Sequence, residues 1–459
     1  MKKNFLLLSL VTASSLFAGS DLSSAFQEGK VSGQIRYDYM DENNKGNLKD
    51  YYGSAVGGYL KYETGALEGF KAGAAIYAAT YLSDDVSSTN TESTAGKKGS
   101  RYVAGLMDAS DLDKNQIMNL GEAYISYQKS KTKATVGRMK LNTPFINPED
   151  GRMIPTFEQG IWVTSKDIQN YELQAGYINA FWNRSTSDWK SVQDSFGYGY
   201  PQGKAPTGAN ANYGSGNIDT NGVYVASIAY SGIADTKLEL WDYYIQNVFN
   251  LGYFEGNYNK QFGNFRVLAG AQYISEQEVG NGGNDDRTKA YMDHGEKSET
   301  YGAKAGIGYT DTLLILASTT TTDEGRFLFP REWGKEPLFT FQKRERSDGS
   351  GGSDAWLITL DQDFKAIGLD GLSLKVGYGR YHKPDAKNVT LNKFGIPSYA
   401  QTNIDLFYTF KGPLKGLVVE YLFTKKSAIG NTYETPTSST YVFTKNDMNI
   451  QNLILNYNF

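Results

Sequence analysis

The sequence predicts an all-β protein: a transmembrane antiparallel β-barrel of about 18 strands with a constriction loop folded inward. Three observations carry that prediction. Stretches of near ten residues alternate apolar and polar side chains along almost the whole chain. The connections between them alternate short and long. A short apolar export signal comes first, and no run of 18 or more apolar residues follows it. An exported chain without a spanning helix has one other way to satisfy its backbone polar groups in lipid, which is to close a sheet on itself.

The N-terminus supplies the export signal. Lys2 and Lys3 form a charged region, Phe5 to Val11 an apolar core, and Ala18, Gly19 and Ser20 the small residues of a cleavage site. Cleavage is expected near Ala18 or Ser20, so residues 1–20 are read as a signal peptide and 21–459 as a single barrel. Losing Lys2 and Lys3 takes the net charge from −4 to −6. That balance argues against a nucleic-acid partner, whose binding domain should be basic. Cysteine is absent and there are only two histidines, His294 and His382. The chain therefore has no disulfide framework, and no cofactor or metal is expected. A hydrolytic triad needs a histidine beside a nucleophile, and neither histidine has a nucleophile motif nearby, so no enzyme is expected.

The strands follow from period 2. Val31, Gly33, Ile35, Tyr37 and Tyr39 share one face, while Ser32, Gln34, Arg36 and Asp38 share the other. Further runs are read at 51–62, 70–82, 117–128, 131–140, 160–166, 169–182, 221–231, 236–246, 249–260, 263–275, 299–310, 312–322, 355–365, 371–382, 400–411, 414–425 and 447–459. Each is near the length of a tilted barrel strand. Tyrosine (34 residues) is abundant enough to build interfacial girdles. Tyr37, Tyr39, Tyr77, Tyr81, Tyr124, Tyr127, Tyr408, Tyr421 and Tyr457 are assigned to strand ends or outward faces.

Short connections at 63–69, 129–131, 261–263, 310–311 and 411–413 are periplasmic turns in this reading. Long ones at 83–116, 141–160, 183–220, 276–298, 323–354, 383–399 and 426–446 are outer loops, and their Asn, Ser, Thr, Gly and charge predict solvated surface. The final strand places Leu453, Leu455, Tyr457 and Phe459 on one face. A terminal aromatic of this kind resembles the signal read by barrel-assembly machinery, which makes Tyr457 and Phe459 the expected assembly signal.

A barrel this wide cannot be filled by its own side chains. Residues 141–160, LNTPFINPEDGRMIPTFEQG, are the candidate to narrow it. Pro144, Pro148 and Pro155 stiffen the segment. Phe145, Ile146, Met153, Ile154 and Phe157 make it too apolar for a linker, and long ordered loops are usually functional. Glu149, Asp150, Arg152 and Glu158 are then expected to point into the lumen. Strand parity adds a row of lumen cations: Arg36, Lys61, Arg138, Lys140, Arg266, Lys304 and Lys375. Such a row concentrates anions beside a constriction. Lumen acids are expected as well: Asp38, Glu122, Asp361, Asp405 and Glu420, and with the net negative charge they fit a mixed or cation-leaning pore equally well. Arg380 shares parity with Leu374 and Val376, so it needs a bulge or a place beyond the bilayer to face the pore.

The segment resembles the loop-3 region of the OprD family of outer-membrane porins. The resemblance rests on Thr143, Pro144, Asp150, Arg152, Pro155, Phe157 and Gly160. Arg331, Glu332, Trp333 and Gly334, with Phe339 and the run Lys343–Arg346, look like that family's loop 7. Gly371, Leu372, Arg380 and Tyr381 resemble a third family segment. The resemblance implies an 18-stranded channel with an eyelet made by these two loops, with Arg331 at the constriction. It also implies a basic ladder that guides small carboxylate-bearing solutes. The expected function is passive diffusion of small hydrophilic solutes and ions across the outer membrane of a Gram-negative bacterium. The other reading is a structural or adhesive surface barrel with little conductance. Expected partners are outer-membrane lipid and lipopolysaccharide, the barrel-assembly machinery and small solutes. Either a monomer or a homotrimer fits.

Overall fold

The computed structural model describes residues 20–45, 50–86, 102–149, 151–214, 216–344, 346–430 and 447–459. The expected export signal, with Ala18, lies outside them, and so does Asp150. Period-2 alternation becomes one antiparallel sheet of 19 strands. In order these are β1 (Lys30–Asn44), β2 (Tyr51–Glu63), β3 (Phe70–Asp84), β4 (Gln116–Lys129), β5 (Thr132–Met139), β6 (Phe157–Ser165) and β7 (Tyr171–Trp182). Then come β8 (Lys190–Ser191), β9 (Val223–Tyr230), β10 (Thr236–Ile245), β11 (Phe249–Phe262), β12 (Phe265–Glu278) and β13 (Lys297–Tyr309). The last are β14 (Thr312–Thr321), β15 (Ser353–Asp363), β16 (Leu372–His382), β17 (Tyr399–Thr409), β18 (Leu417–Ala428) and β19 (Met448–Asn458).

β1 pairs with both β2 and β19, which closes the sheet. β8 pairs only with β7, and β7 pairs directly with β9. Taking β8 from 19 leaves a ring of 18 strands. The Phe459 amide and carbonyl both bond to Gly33, at 3.1 and 3.0 Å, so the last residue of the chain completes the seam. A helix at Ser20–Gln27, which the sequence reading did not anticipate, precedes β1. It rests on the turn end of the barrel, where the Gly65 amide bonds to Ala25 O at 2.7 Å and Phe26 stacks on Tyr62.

The outward face is apolar because lipid is its solvent. Val31, Ile76, Val136, Ile307 and Leu316 are all exposed there. Two aromatic girdles bound this band. Phe70–Tyr127, Tyr171–Tyr230 and Phe265–Tyr309 pair near the short turns. Tyr177–Tyr224, Tyr273–Tyr301 and Trp356–Tyr378 pair toward the long loops. Phe265 and Tyr273 share β12, and at ~3.3 Å per residue and ~40° tilt they stand about 20 Å apart along the membrane normal. Three tyrosines assigned to the girdles face inward instead. Tyr77 donates to Glu122 at 3.1 Å, Tyr81 to Val103 O at 3.3 Å and Tyr124 to Glu63. β-propensity alone had placed them on strands, and it carries no information about which face they take.

The long loops depart from the solvated surface expected of them. Phe196, Tyr213, Ile218, Tyr291, Phe327 and Trp333, all from loops, are buried in one core with wall residues such as Trp241 and Tyr253. A second core joins Val103, Leu106, Met153 and Ile154 to Met40, Tyr51 and Tyr77 of the wall. Polar composition hides these anchors because each loop needs only a few apolar residues to be drawn into the lumen.

Candidate functional site

The constriction is built from the β5–β6 connection, residues 140–156, and the β14–β15 connection, residues 322–352. The first half of the β5–β6 loop is knotted on itself. The Thr143 hydroxyl accepts from the Ile146 amide at 3.0 Å and donates to Ile146 O at 2.9 Å, while Tyr243 donates to the same hydroxyl. Phe145, fully buried, sits among the rings of Tyr243, Tyr253, Phe327 and Phe329, with centroids 4.9 to 6.2 Å away. Asn147 then stitches the two loops together. Its backbone amide donates to Trp333 O, its side-chain Nδ2 donates to Lys335 O at 2.9 Å, and its side-chain Oδ1 accepts from the Lys335 amide at 3.0 Å. Met153 and Ile154 anchor the other half in the second core. The charged residues between these anchors are therefore held rather than free.

Each expected constriction residue can now be placed. Glu149 has φ 37° and does not project into open lumen. Its carboxylate is clamped by Arg184, 2.9 Å away, and by Arg346. Arg346 also donates to Arg331 O and Gly334 O, at 2.7 and 2.6 Å. Arg331 is paired with Asp348 at 2.9 Å and lies over Phe394. Glu158 belongs to β6 rather than to the loop. It is fully buried and accepts from the Leu141 amide at 2.8 Å, so it fixes the start of the loop instead of lining a passage. Arg152 is also buried. Its carbonyl accepts from Arg36 at 2.6 Å, and its guanidinium packs by Met40. Burial, then the neighbouring Arg344 and Arg184, push its pKa down to about 9, which still leaves it charged at neutral pH.

The cation row divides by partner. Arg36 bonds to Asn456 at 2.7 Å beside Asp38, which accepts from Asn452. Lys61 pairs with Glu122 at 2.5 Å and Lys375 with Asp361 at 3.6 Å. Lys343, outside the parity row because it comes from a loop, bridges Asp405 and Glu420. Lys140 instead lies over Tyr59, Lys304 over Phe339 at 3.9 Å, and Arg266 bonds to Asn259 at 2.8 Å. Among the described residues none of these three meets a carboxylate within ion-pair reach. Lys61, Lys133 and Lys140 also line a cavity of about 250 Å³ with Glu122, Tyr124, Met139 and Trp162.

Arg138 leaves the row. It pairs across to Ala123 and Gln159, on the face of the exposed Val136 and Ile161. Thr135 and Met139 hold the cavity face. Its guanidinium lies over Trp189, 4.6 Å from the ring centre, and donates to Gln159. Parity recovers Lys133, which was overlooked. Arg184, Arg344 and Lys335 had no such signal, since they lie in loops.

A family model described as outer membrane porin, OprD family, matches residues 24–459. Solved structures agree in fold. Pseudomonas aeruginosa OccK9 (OpdG) superposes with a TM-score of 0.73 at 17% identity, covering 95% of this chain and 99% of that one. Pseudomonas aeruginosa OpdK with vanillate gives 0.72 at 16% identity, with the same shares covered. Acinetobacter baumannii OccAB2 gives 0.72 at 18% identity, again over 95% and 99%. No curated protein matches the chain. A match that starts ahead of β1 and ends at the last residue takes in both the wall and the two loops that narrow it, and the chain therefore belongs to the OprD family of outer-membrane porins, integral β-barrels of the outer membrane.

Proposed function

We propose that the chain is a channel for passive diffusion of small hydrophilic solutes, with a preference for small carboxylate-bearing molecules. The observation that carries this is the imbalance of partners on the lumen wall. Glu122, Asp361, Asp405 and Glu420 each face a lysine, while Lys140, Arg266 and Lys304 face rings and an amide. Glu255, whose charge acts on Lys304, is itself held by Tyr253, Asn257 and Gln272. A partnered acid presents little net field to the passage, whereas an unpartnered cation keeps its own. The relative OpdK was solved with vanillate, which is an aromatic carboxylate. The constriction contributes shape through its clamped loops, and the unpartnered cations contribute sign.

The test is reversal potential in a planar bilayer under a salt gradient, together with uptake of small carboxylates into liposomes. Arg266→Ala with Lys304→Ala is expected to shift the reversal potential toward cations and to slow carboxylate entry several-fold, on the order of ~1 kcal/mol of lost attraction. An unchanged potential and unchanged uptake would discard the selectivity, and repeated insertions that carry no current would discard the channel. Tyr457 and Phe459 remain our proposed assembly signal. Their exposed side chains and the closure of the seam by Phe459 support it. Normal yield of heat-modifiable barrel after deleting Phe459 would refute it.

A further inference from the structure

Arg380 is a cation on the lipid-facing surface. Its neighbour Tyr381 is the inward residue, buried, with its hydroxyl on Thr340 O at 2.6 Å. Arg380 pairs across to Trp356 on β15 and Ala400 on β17, and so shares their outward face. Level with it stands the ring of Trp356, 5.5 Å from that of Tyr378 two residues below, and further down the same face come the exposed Ile358, Leu360, Ile404 and Leu406. Arg380 thus stands at the aromatic girdle on the long-loop side, which in an outer-membrane barrel is the outer leaflet. It spends one donor on the Tyr378 hydroxyl at 3.2 Å, which leaves the rest of the guanidinium directed at its surroundings.

Lys425 stands at the same rim. It is exposed and pairs across to Thr402 on β17 and Asn449 on β19, above the outward Tyr421 and Phe423. One strand separates it from Arg380, and at ~4.8 Å per strand and ~3.3 Å per residue their Cα atoms are about 12 Å apart. Among the described residues, the other ionisable side chains on this patch are Asp354, which accepts from Thr320 at 2.9 Å, and His382, which pairs across to Asp354. The adjacent Lys426 faces the lumen, bonded to the Tyr102 hydroxyl.

We propose that this rim of β15–β18 is a docking surface for the phosphorylated headgroup of an outer-leaflet glycolipid. Arg380 and Lys425 hold its phosphates, and Trp356 and Tyr378 pack against the top of its acyl region. Charge complementarity chooses the occupant. A cation on the outward wall is tolerated at the interface and costly deeper in lipid. Guanidinium and ammonium groups at headgroup depth match phosphate, with the planar guanidinium able to bond two oxygens at once. Held there, the lipid would fasten β15–β18 to the leaflet, behind the wall that Lys343 and Gln342 of the constriction loop contact from inside.

The experiment is native mass spectrometry of the purified full chain in detergent, titrated with lipopolysaccharide, with the same lipid dephosphorylated, with phosphatidylglycerol and with inorganic phosphate. The wild type is expected to bind the phosphorylated glycolipid at least tenfold more tightly than the dephosphorylated one. Arg380→Gln with Lys425→Gln is expected to lose that difference, and Arg380→Lys with Lys425→Arg to keep most of it. Heat-modifiability and single-channel conductance verify that each variant is folded. Equal binding by the wild type and the Gln pair would overturn the proposal. Indifference to dephosphorylation would overturn it as well. Equal binding of phosphatidylglycerol or of inorganic phosphate would replace the glycolipid with a general phosphate site. A Gln pair whose only change is loss of self-association would make the rim an interface between copies of the chain.

Discussion

Two sides of the same lumen wall carry similar lysines and arginines to different effect. Along β15–β18, Lys375 of β16 and Lys343 of the β14–β15 loop each meet carboxylates, at 3.6 Å to Asp361 and 2.7 Å to Asp405. A few strands away in the ring, on β12 and β13, Arg266 and Lys304 meet an asparagine and a phenylalanine. The first side is close to neutral at short range and the second is not. A count of basic residues therefore says little about what a pore prefers. The useful quantity is which cations the neighbouring strands and loops leave without an acid.

The sharpest way to break this contrast is to release the loops that keep both sides close to a passing solute. Phe145→Ala removes the ring that four aromatic neighbours enclose, at a cost of about 3–5 kcal/mol. The expected result is a lower unfolding temperature with larger, noisier conductance and weaker ion selectivity, read from thermal melts and single-channel traces. An equally stable, equally selective channel would show that Phe145 does not anchor the eyelet.

The next test turns the neutral side into an acidic one. Lys343→Ala leaves Asp405 and Glu420 without the cation they share. Lys343 is partly exposed, so the effect is screened. A drop of roughly two- to fivefold in carboxylate flux is expected, about 0.5–1 kcal/mol, together with a cation-ward reversal potential. If flux rises instead, those acids do not face the passage.

The smallest effect is a pH dependence of the loop packing. Glu332 joins three loops. Its carboxylate accepts from the Gly197 amide, and its carbonyl accepts from Thr156 at 3.2 Å. Burial pushes its pKa up to about 7. A folded value above the ordinary 4.5 favours the folded loops fully below 4.5, and that contribution is lost as pH rises through about 7. Lys393 opposes it. Burial, then Arg326, push it down to about 7, so its contribution is lost as pH falls through that value. Hydrogen exchange at 195–200 and 331–336 is expected to show protection that changes little between pH 5 and 8 in the wild type. In Glu332→Gln it should rise steadily with pH, and a flat profile in the variant would contradict the assignment.

The wall could be read from the sequence because a strand constrains every second residue. All 18 expected runs overlap a strand of the ring, although β6 begins at Phe157, three residues before the run read at 160–166. Parity failed where a strand stops. Arg138, the last residue but one of β5, was assigned to the lumen but takes the face of Val136 and Ile161. Arg380, by contrast, keeps the outward parity its sequence gave it. The eyelet was legible as a place and not as a set of contacts. Proline and apolar content marked residues 141–160, but no local pattern pairs Glu149 with Arg346, 197 positions away. Such partners are chosen by the closed wall around them.

That closure has a consequence for how the protein is made. The seam between β1 and β19 joins residues such as Gln34 and Asn458, separated by 424 positions. Until it forms, both strands are open edges whose amides and carbonyls invite pairing with any neighbouring chain. Contacts so distant in sequence come late in folding, because nearly the whole polypeptide must be ordered before they can form. Phe459 supplies the bonds to Gly33 at one end of that seam, so a chain that lacks β19 keeps two open edges and is expected to pair with its neighbours instead of with itself.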